Sequence, residues 1–452
     1  MSETSPPAAR VPPGPRWPRL VQGAAVIISR RQTFQTLGKR FGTAFSVRLP
    51  LFGPTVVISD PALVKQLFQT ATDIARAVEP NLDLVLGSGS MFGLQGDEHR
   101  RRRKLLVPPF HGKRMRAYEG IIEEETLKEV ATWPQGQEFP VLESTMRITL
   151  SAILRAVFGA EGAEFDALRR VMPPLVTTGS RLAFLPVLHK DLGPRSPWGR
   201  FLAMRREFDA IVSSLIAGAE ADPALDQRDD VLSLMLQARY DDGTAMSHSD
   251  IADELFTLLA AGHETTATSL AWAVERLRRH PQVLSRLVDE VDAGGSVLLQ
   301  ATIYEVQRTR PVIDSVGRQV MASHMPLGQW VIPKGHTVLI NIPLVHQNND
   351  VFPDAGTFNP DRFLGTNPDN YSWVPFGGGT RRCIGAAFAN MEMNVVLATI
   401  LRQFQLAPTN APDERWHNRG VAFAPRGGGR ALVYRRNDAP APAAEEHQAA
   451  AR

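Results

Sequence analysis

The chain has 452 residues and a mass of 49.7 kDa, with 43% hydrophobic and 21% charged residues. That length can bury a large core, and a single cysteine excludes internal disulfides, cysteine-rich zinc sites and protein-held iron–sulfur clusters. Charge is nearly balanced, 50 Lys+Arg against 47 Asp+Glu, which gives no electrostatic footprint for nucleic acid. No run reaches the ~20 apolar residues needed to span a bilayer, and the start lacks the basic-then-apolar plan of a signal peptide. These features predict a cytoplasmic protein with no transmembrane anchor and no nucleic-acid partner.

Residues 1–18 carry Pro6, Pro7, Pro12, Pro13, Pro15 and Pro18 and predict a flexible start. Residues 437–452, rich in Ala, Pro and Glu, predict a disordered tail. No linker or repeat divides 19–436, which reads as one domain. Val47 and Thr55–Ile58 flank Leu51-Phe52-Gly53 and predict an early hairpin. Gly87 to Gly93 is a poor dinucleotide fingerprint, because neither a preceding strand nor the right third spacing is present. His99-Arg-Arg-Arg-Arg-Lys104 is the sharpest charge run, without the interleaved aromatics of a nucleic-acid surface.

The most informative element runs from about Ser249 to His280, where Pro281 stops it. Some 30 helical residues make ~45 Å, long enough to cross a domain. Leu255, Leu258, Leu259, Gly262 and Thr266 share one face. Midway lies Ala261-Gly-His-Glu-Thr-Thr266, a polar patch where burial predicts apolar residues. Taken alone, Thr265 could bond the carbonyl four residues back. His263-Glu264 begins like a zinc protease motif, but Ala267 stands where the second histidine belongs. Further on, Glu305 and Arg308 form an i, i+3 pair. Thr337–Ile342 predicts a strand, and Gly427–Gly429 separates two short β-like runs.

The lone cysteine lies in Pro375-Phe-Gly-Gly-Gly-Thr-Arg-Arg-Cys-Ile-Gly385. Ile384, Phe388, Met391 and Val395 predict an amphipathic helix just after it. A helix N-terminus with Arg381 and Arg382 nearby favours a thiolate, whereas a cysteine without such context is a small buried hydrophobe. Three glycines let the backbone turn tightly and approach a ligand.

With Phe376, Gly379, Arg381, Cys383 and Gly385 in register, this loop resembles the haem-binding loop of the cytochrome P450 family. The resemblance implies that Cys383 is the axial ligand of the haem iron. It implies that Arg381 pairs with a haem propionate and that Phe376 and Gly377 belong to the cofactor loop. Gly262, Glu264 and Thr265 match the family's segment on the central helix, where the glycine leaves room beside O2 and the acid–alcohol pair relays protons. His99 and Arg103 match a family pair that reaches the propionates. The arginines between them are expected to face outward, with Arg100 and Arg101 attracting an acidic redox partner. Arg318, off the family register by about one residue, is a further propionate contact. Glu305, Arg308 and Arg362 correspond to a structural network behind the haem, with Gln307 where the family usually has leucine. Val171–Pro174 and Leu182–Leu188 fall in the lid region, and Pro80–Phe92 in the loop above the haem.

The implied fold is mainly α with small β-sheets, a cytochrome P450-like fold with a long central helix over haem b (iron protoporphyrin IX). The chain looks most similar to soluble actinobacterial, especially mycobacterial, members. The implied activity is that of a haem-thiolate monooxygenase. It would oxidise a small lipophilic substrate with O2 and take electrons from separate ferredoxin and ferredoxin reductase-type partners. Two alternatives remain: a peroxide-dependent relative, which usually lacks the acid–alcohol pair, and a non-enzymatic haem sensor, which needs no such machinery. No charged substrate anchor can be placed from sequence.

Overall fold

The structure, a computed structural model, describes residues 9–436 except 51, 79–80, 111, 113 and 160–161. The expectations for residues 1–8, Leu51, Pro80 and 437–452 lie outside it.

The early hairpin forms as its β-branched runs predict: Ala44–Leu49 pairs antiparallel with Gly53–Ile58, placing Val47 opposite Thr55. Thr337–Asn341 then joins in parallel, with Thr55 opposite Thr337, and all five of its residues are buried. A strand covered on both faces reads as a continuous apolar run, which is why this one was legible. Ser315–Val320 and Ala75–Val78 complete a five-stranded mixed sheet. The described part of the Pro-rich start lies against it. Ser46 donates its amide to the Pro13 carbonyl at 2.9 Å, and Arg10 bridges to Val331.

The central helix spans His248–Arg279, within a residue of each predicted end. Ser247 caps it by accepting the Asp250 amide at 3.1 Å. Pro281 opens the next helix, Pro281–Asp292, because it has no N–H with which to continue the ladder. The central helix packs on Val141–Phe158, on the cysteine helix Ala386–Gln403, on Val297–Thr309 and on the lid helix Ala163–Ala183. Leu255, Leu258, Leu259 and Thr266 are buried as the periodicity requires. Its far end meets a C-terminal hairpin, Trp416–Asn418 with Phe423–Pro425, whose Phe423 carbonyl accepts the Trp272 indole N–H at 3.0 Å.

The Glu305 pair is fully buried. Arg308 donates to both Glu305 oxygens at 2.7 Å and to the carbonyls of His346, Ala355 and Thr357. Arg362 adds its Nε at 3.3 Å. Such a charge is tolerated away from water only when every face is matched, as here. Gln307 is accommodated by Asn390 on the cysteine helix, 2.9 Å away. Among the described residues, no helix is long and apolar enough to cross a membrane.

Candidate active site

Cys383 sits two residues before Gly385–Ala386, where the cysteine helix begins. Its amide donates to the Phe376 carbonyl at 3.0 Å, which closes the loop. Gly378 and Gly379 are required by protein rather than by a ligand. A Cβ at Gly378 would lie 2.3 Å from the Phe68 ring, and Gly379 has φ +63° with its Cβ position 2.5 Å from the Phe68 carbonyl oxygen. Phe68 lies in the last turn of the helix Pro61–Gln69, so the loop is set against that helix and cannot accept side chains there. Gly377 also takes a positive φ.

At Cys383 the helix terminus and the arginines expected to favour a thiolate act against burial. Burial pushes the Cys383 thiol up and outweighs the Gly385 amide, Arg103 and Arg382, which pull the other way. Desolvation wins because the group lies deep in the fold. Yet Cys383 keeps exposed surface. Its side chain is not packed over, and a coordinated metal rather than the helix terminus would have to remove its proton.

Above this loop, four basic residues from three separate elements converge. His99 and Arg103 come from the helix Gly96–Leu106, Arg318 from a sheet strand and Arg381 from the cysteine loop. Burial first, then Arg381, Arg103 and Arg318, hold His99 down at about 4. The His99 Nε2 is buried without a hydrogen-bond partner. Arg318 also donates to the Gly317 carbonyl at 2.9 Å. Arg381 donates to the Met91 carbonyl at 3.0 Å and to the Leu94 carbonyl, which ties the loop over the site to the cysteine loop.

On the central helix, Ala261 is exposed and Gly262, Thr265 and Ser269 are half-buried inside an otherwise buried element. Steps of about four residues put them on one face, which is therefore left uncovered by the neighbouring elements. A Cβ at Gly262 would meet only Ile153, at 3.6 Å. The Thr265 hydroxyl donates to the Ala261 carbonyl at 2.7 Å. Glu264 is 5% exposed and accepts from Arg419 Nε at 3.0 Å.

Of the charge run, Arg100 and Arg101 face outward as expected, paired with Asp97 and Asp242. Arg102 does not. It is 5% exposed and binds Tyr240, the Gly89 carbonyl, Glu254 and Asp250. Position 102 is the run's inward-facing turn, and two acids on the central helix take its charge. Sequence reasoning also missed Arg419 and Glu392; neither carries a short-range signal, since Arg419 meets Glu264 across 155 residues.

The donor set fits haem. An interior thiol suits a porphyrin iron, and an unpartnered histidine nitrogen among three guanidiniums suits two carboxylates.

The comparisons agree. The Cytochrome P450 family description matches residues 12–428. Cytochrome P450 138 of Mycobacterium tuberculosis is 55% identical over 432 residues, covering 96% of this chain and 98% of that protein. Cytochrome P450 135B1 of the same organism is 38% identical over 450 residues, covering 98% and 94%. Among solved structures, retinoic acid-bound cyanobacterial CYP120A1 superposes with a TM-score of 0.82 at 23% identity, covering 95% of this chain and all (100%) of that one. The haem domain of cytochrome P450DA gives 0.79, also at 23% identity, covering 95% and 98%. The chain belongs to the cytochrome P450 family. Family membership implies an oxygenase-type oxidoreductase with a haem cofactor.

Proposed function

We propose that the chain is a haem-thiolate monooxygenase holding haem b in a single domain over residues 19–436. On this reading it oxidises a small lipophilic substrate in the cytoplasm, with electrons from separate ferredoxin-type partners. The observation that carries this is that the helix beginning just after Cys383 packs on the central helix, which leaves the face of Gly262 and Thr265 uncovered. When bound, haem supplies the oxygen-activating chemistry: one oxygen atom goes to substrate, the other to water.

The chain's own residues do the rest. Cys383 is the iron ligand, and Phe376 and Gly377 shape its loop. His99, Arg103, Arg318 and Arg381 hold the carboxylates. Thr265 keeps acceptor lone pairs after bonding Ala261, so its hydroxyl can hold a water or pass a proton, with Glu264 as the acid behind it. Val171, Met172, Leu175 and Leu182 give the lid helix an apolar, buried face that excludes water. On the outer surface, a shallow hollow of about 430 Å³ is lined by Arg100, Arg103, Lys104, Val107, Pro108 and Thr380. It lies beside the cysteine loop and is the place for an acidic electron donor.

The test begins with the carbon monoxide adduct of the reduced protein, which should show a thiolate-type Soret band that Cys383→Ala abolishes. A panel of fatty acids, sterols and terpenoids is then titrated against the ferric Soret band, and binders are incubated with a ferredoxin system or with peroxide. Product from the ferredoxin system supports the proposal. Turnover with peroxide alone would replace it with a peroxygenase, and a thiolate band without any turnover would leave a haem sensor.

A further inference from the structure

The acid beside Thr265 is held by another element. Among the described residues, Glu264 has one hydrogen-bond partner, Arg419, and no bond joins it to the Thr265 hydroxyl. Arg419 comes from the turn of the C-terminal hairpin, where its amide donates to the Ala422 carbonyl at 2.9 Å. Its side chain is 31% exposed, and among the described residues no other hydrogen bond holds the guanidinium. It can therefore leave Glu264 without breaking a second contact.

The turn itself is wedged against the lid. Gly420 has φ +118°, and a Cβ there would sit 2.7 Å from Ser180 Cβ on the lid helix. Lid helix, turn, Arg419 and Glu264 thus form one run of contacts ending next to Thr265. A carboxylate paired with a guanidinium is an acceptor of charge-assisted hydrogen bonds and has no proton to donate while so held.

We propose that Arg419 is a positioning residue: it keeps Glu264 on the hairpin side, so that proton supply to Thr265 waits for this pair to open, and lid movement against Gly420 is what opens it. The inference rests on the haem-thiolate reading above and adds a control that couples substrate enclosure to proton delivery. Glu264 is itself only 5% exposed, so Arg419→Ala leaves a buried carboxylate unmatched, and the conservative Arg419→Lys separates that structural cost from the effect on proton supply.

The test needs neither substrate nor redox partner. Dithionite-reduced holoprotein is mixed with oxygenated buffer, and reoxidation is followed in the visible spectrum. One electron passes to dioxygen, which leaves with a proton as the hydroperoxyl radical, so a proton donor nearby speeds the process. Arg419→Ala should reoxidise roughly tenfold faster, with a larger slowing in deuterated water. Arg419→Lys should restore the wild-type rate, and Arg419→Ala combined with Glu264→Gln should fall back to the rate of Glu264→Gln alone. The C–O stretch of the carbon monoxide adduct should shift in Arg419→Ala and return in the double variant. If Arg419→Ala does not take up haem, Arg419→Gln serves in its place. Unchanged reoxidation, or acceleration that persists without Glu264, would overturn the proposal. A wild-type adduct lacking the thiolate band would instead defeat the haem-thiolate reading, so the two failures are distinct.

Discussion

Glu392 lies on the cysteine helix, 1% exposed, with neither carboxylate oxygen hydrogen-bonded, and burial pushes it up to about 8 against an opposing pull from Thr266. The side chain is therefore a neutral acid at physiological pH, wedged where the cysteine helix meets the central helix. Its linkage sign is that of an acid with a raised folded pKa. The unfolded chain releases the proton near 4.5, the folded chain only near 8, so its contribution to stability is present below about 4.5 and is lost as pH rises toward 8. Glu392→Gln keeps the shape and cannot ionise. Urea unfolding at several pH values should show wild type losing on the order of a few kcal/mol across that window relative to the variant. Parallel curves for the two proteins would mean that Glu392 is ionised and solvated.

The loop over the site, residues 82–95, is fastened by side chains from three helices and from the cysteine loop. Arg102 holds the Gly89 carbonyl, Arg205 the Leu86 carbonyl, Asp253 the Gly89 amide, and Arg381 the carbonyls of Met91 and Leu94. Gly87 has no room for a side chain, since a Cβ would lie 2.1 Å from an Asp253 oxygen. Arg102→Met would leave Glu254 and Asp250 unmatched, and breaking a buried pair from one side costs about 3–5 kcal/mol. Hydrogen exchange of residues 82–95 should rise several-fold in that variant, and exchange confined to wild-type rates would refute the fastening. The same loop marks the limit of what the sequence shows. Contacts within a turn or two are legible: the Glu305–Arg308 pair, the cysteine loop, and the end of the central helix set by Pro281. Arg102 inside a run of arginines looks like any solvated charge, because its acids lie 148 and 152 residues away and nothing local points to them. Arg419 is hidden for the same reason. Register and burial of distant pairs come from packing the whole chain, which periodicity does not encode.

Across the molecule, His346 joins the Glu305–Arg308 network to the approach of the cysteine loop. Its Nδ1 faces the Arg308 carbonyl at 3.0 Å, and its Nε2 accepts the Val374 amide at 2.9 Å, which assigns the neutral Nδ1–H tautomer. Burial pushes it down to about 3. The unfolded chain takes up a proton near 6.5 that the folded chain refuses, so stability is lost as pH falls from about 6.5 toward 3. His346→Gln should flatten this acid limb in thermal melts between about pH 6.5 and 4, whatever its effect at neutral pH. An unchanged slope would rule His346 out as its source. The sheet carries a different consequence. Gly53–Ile58 takes Thr337–Asn341 as its parallel neighbour, roughly 280 residues later in the chain. At about 5–20 residues per second, a ribosome needs roughly 15 to 55 s to bring that partner out. For that interval a strand of Thr55-Val-Val-Ile58 leaves the tunnel with one edge unpaired. The nascent chain thus carries an adhesive edge through most of its own translation, and its yield in a host cell will depend on chaperone supply and elongation rate as much as on the finished fold.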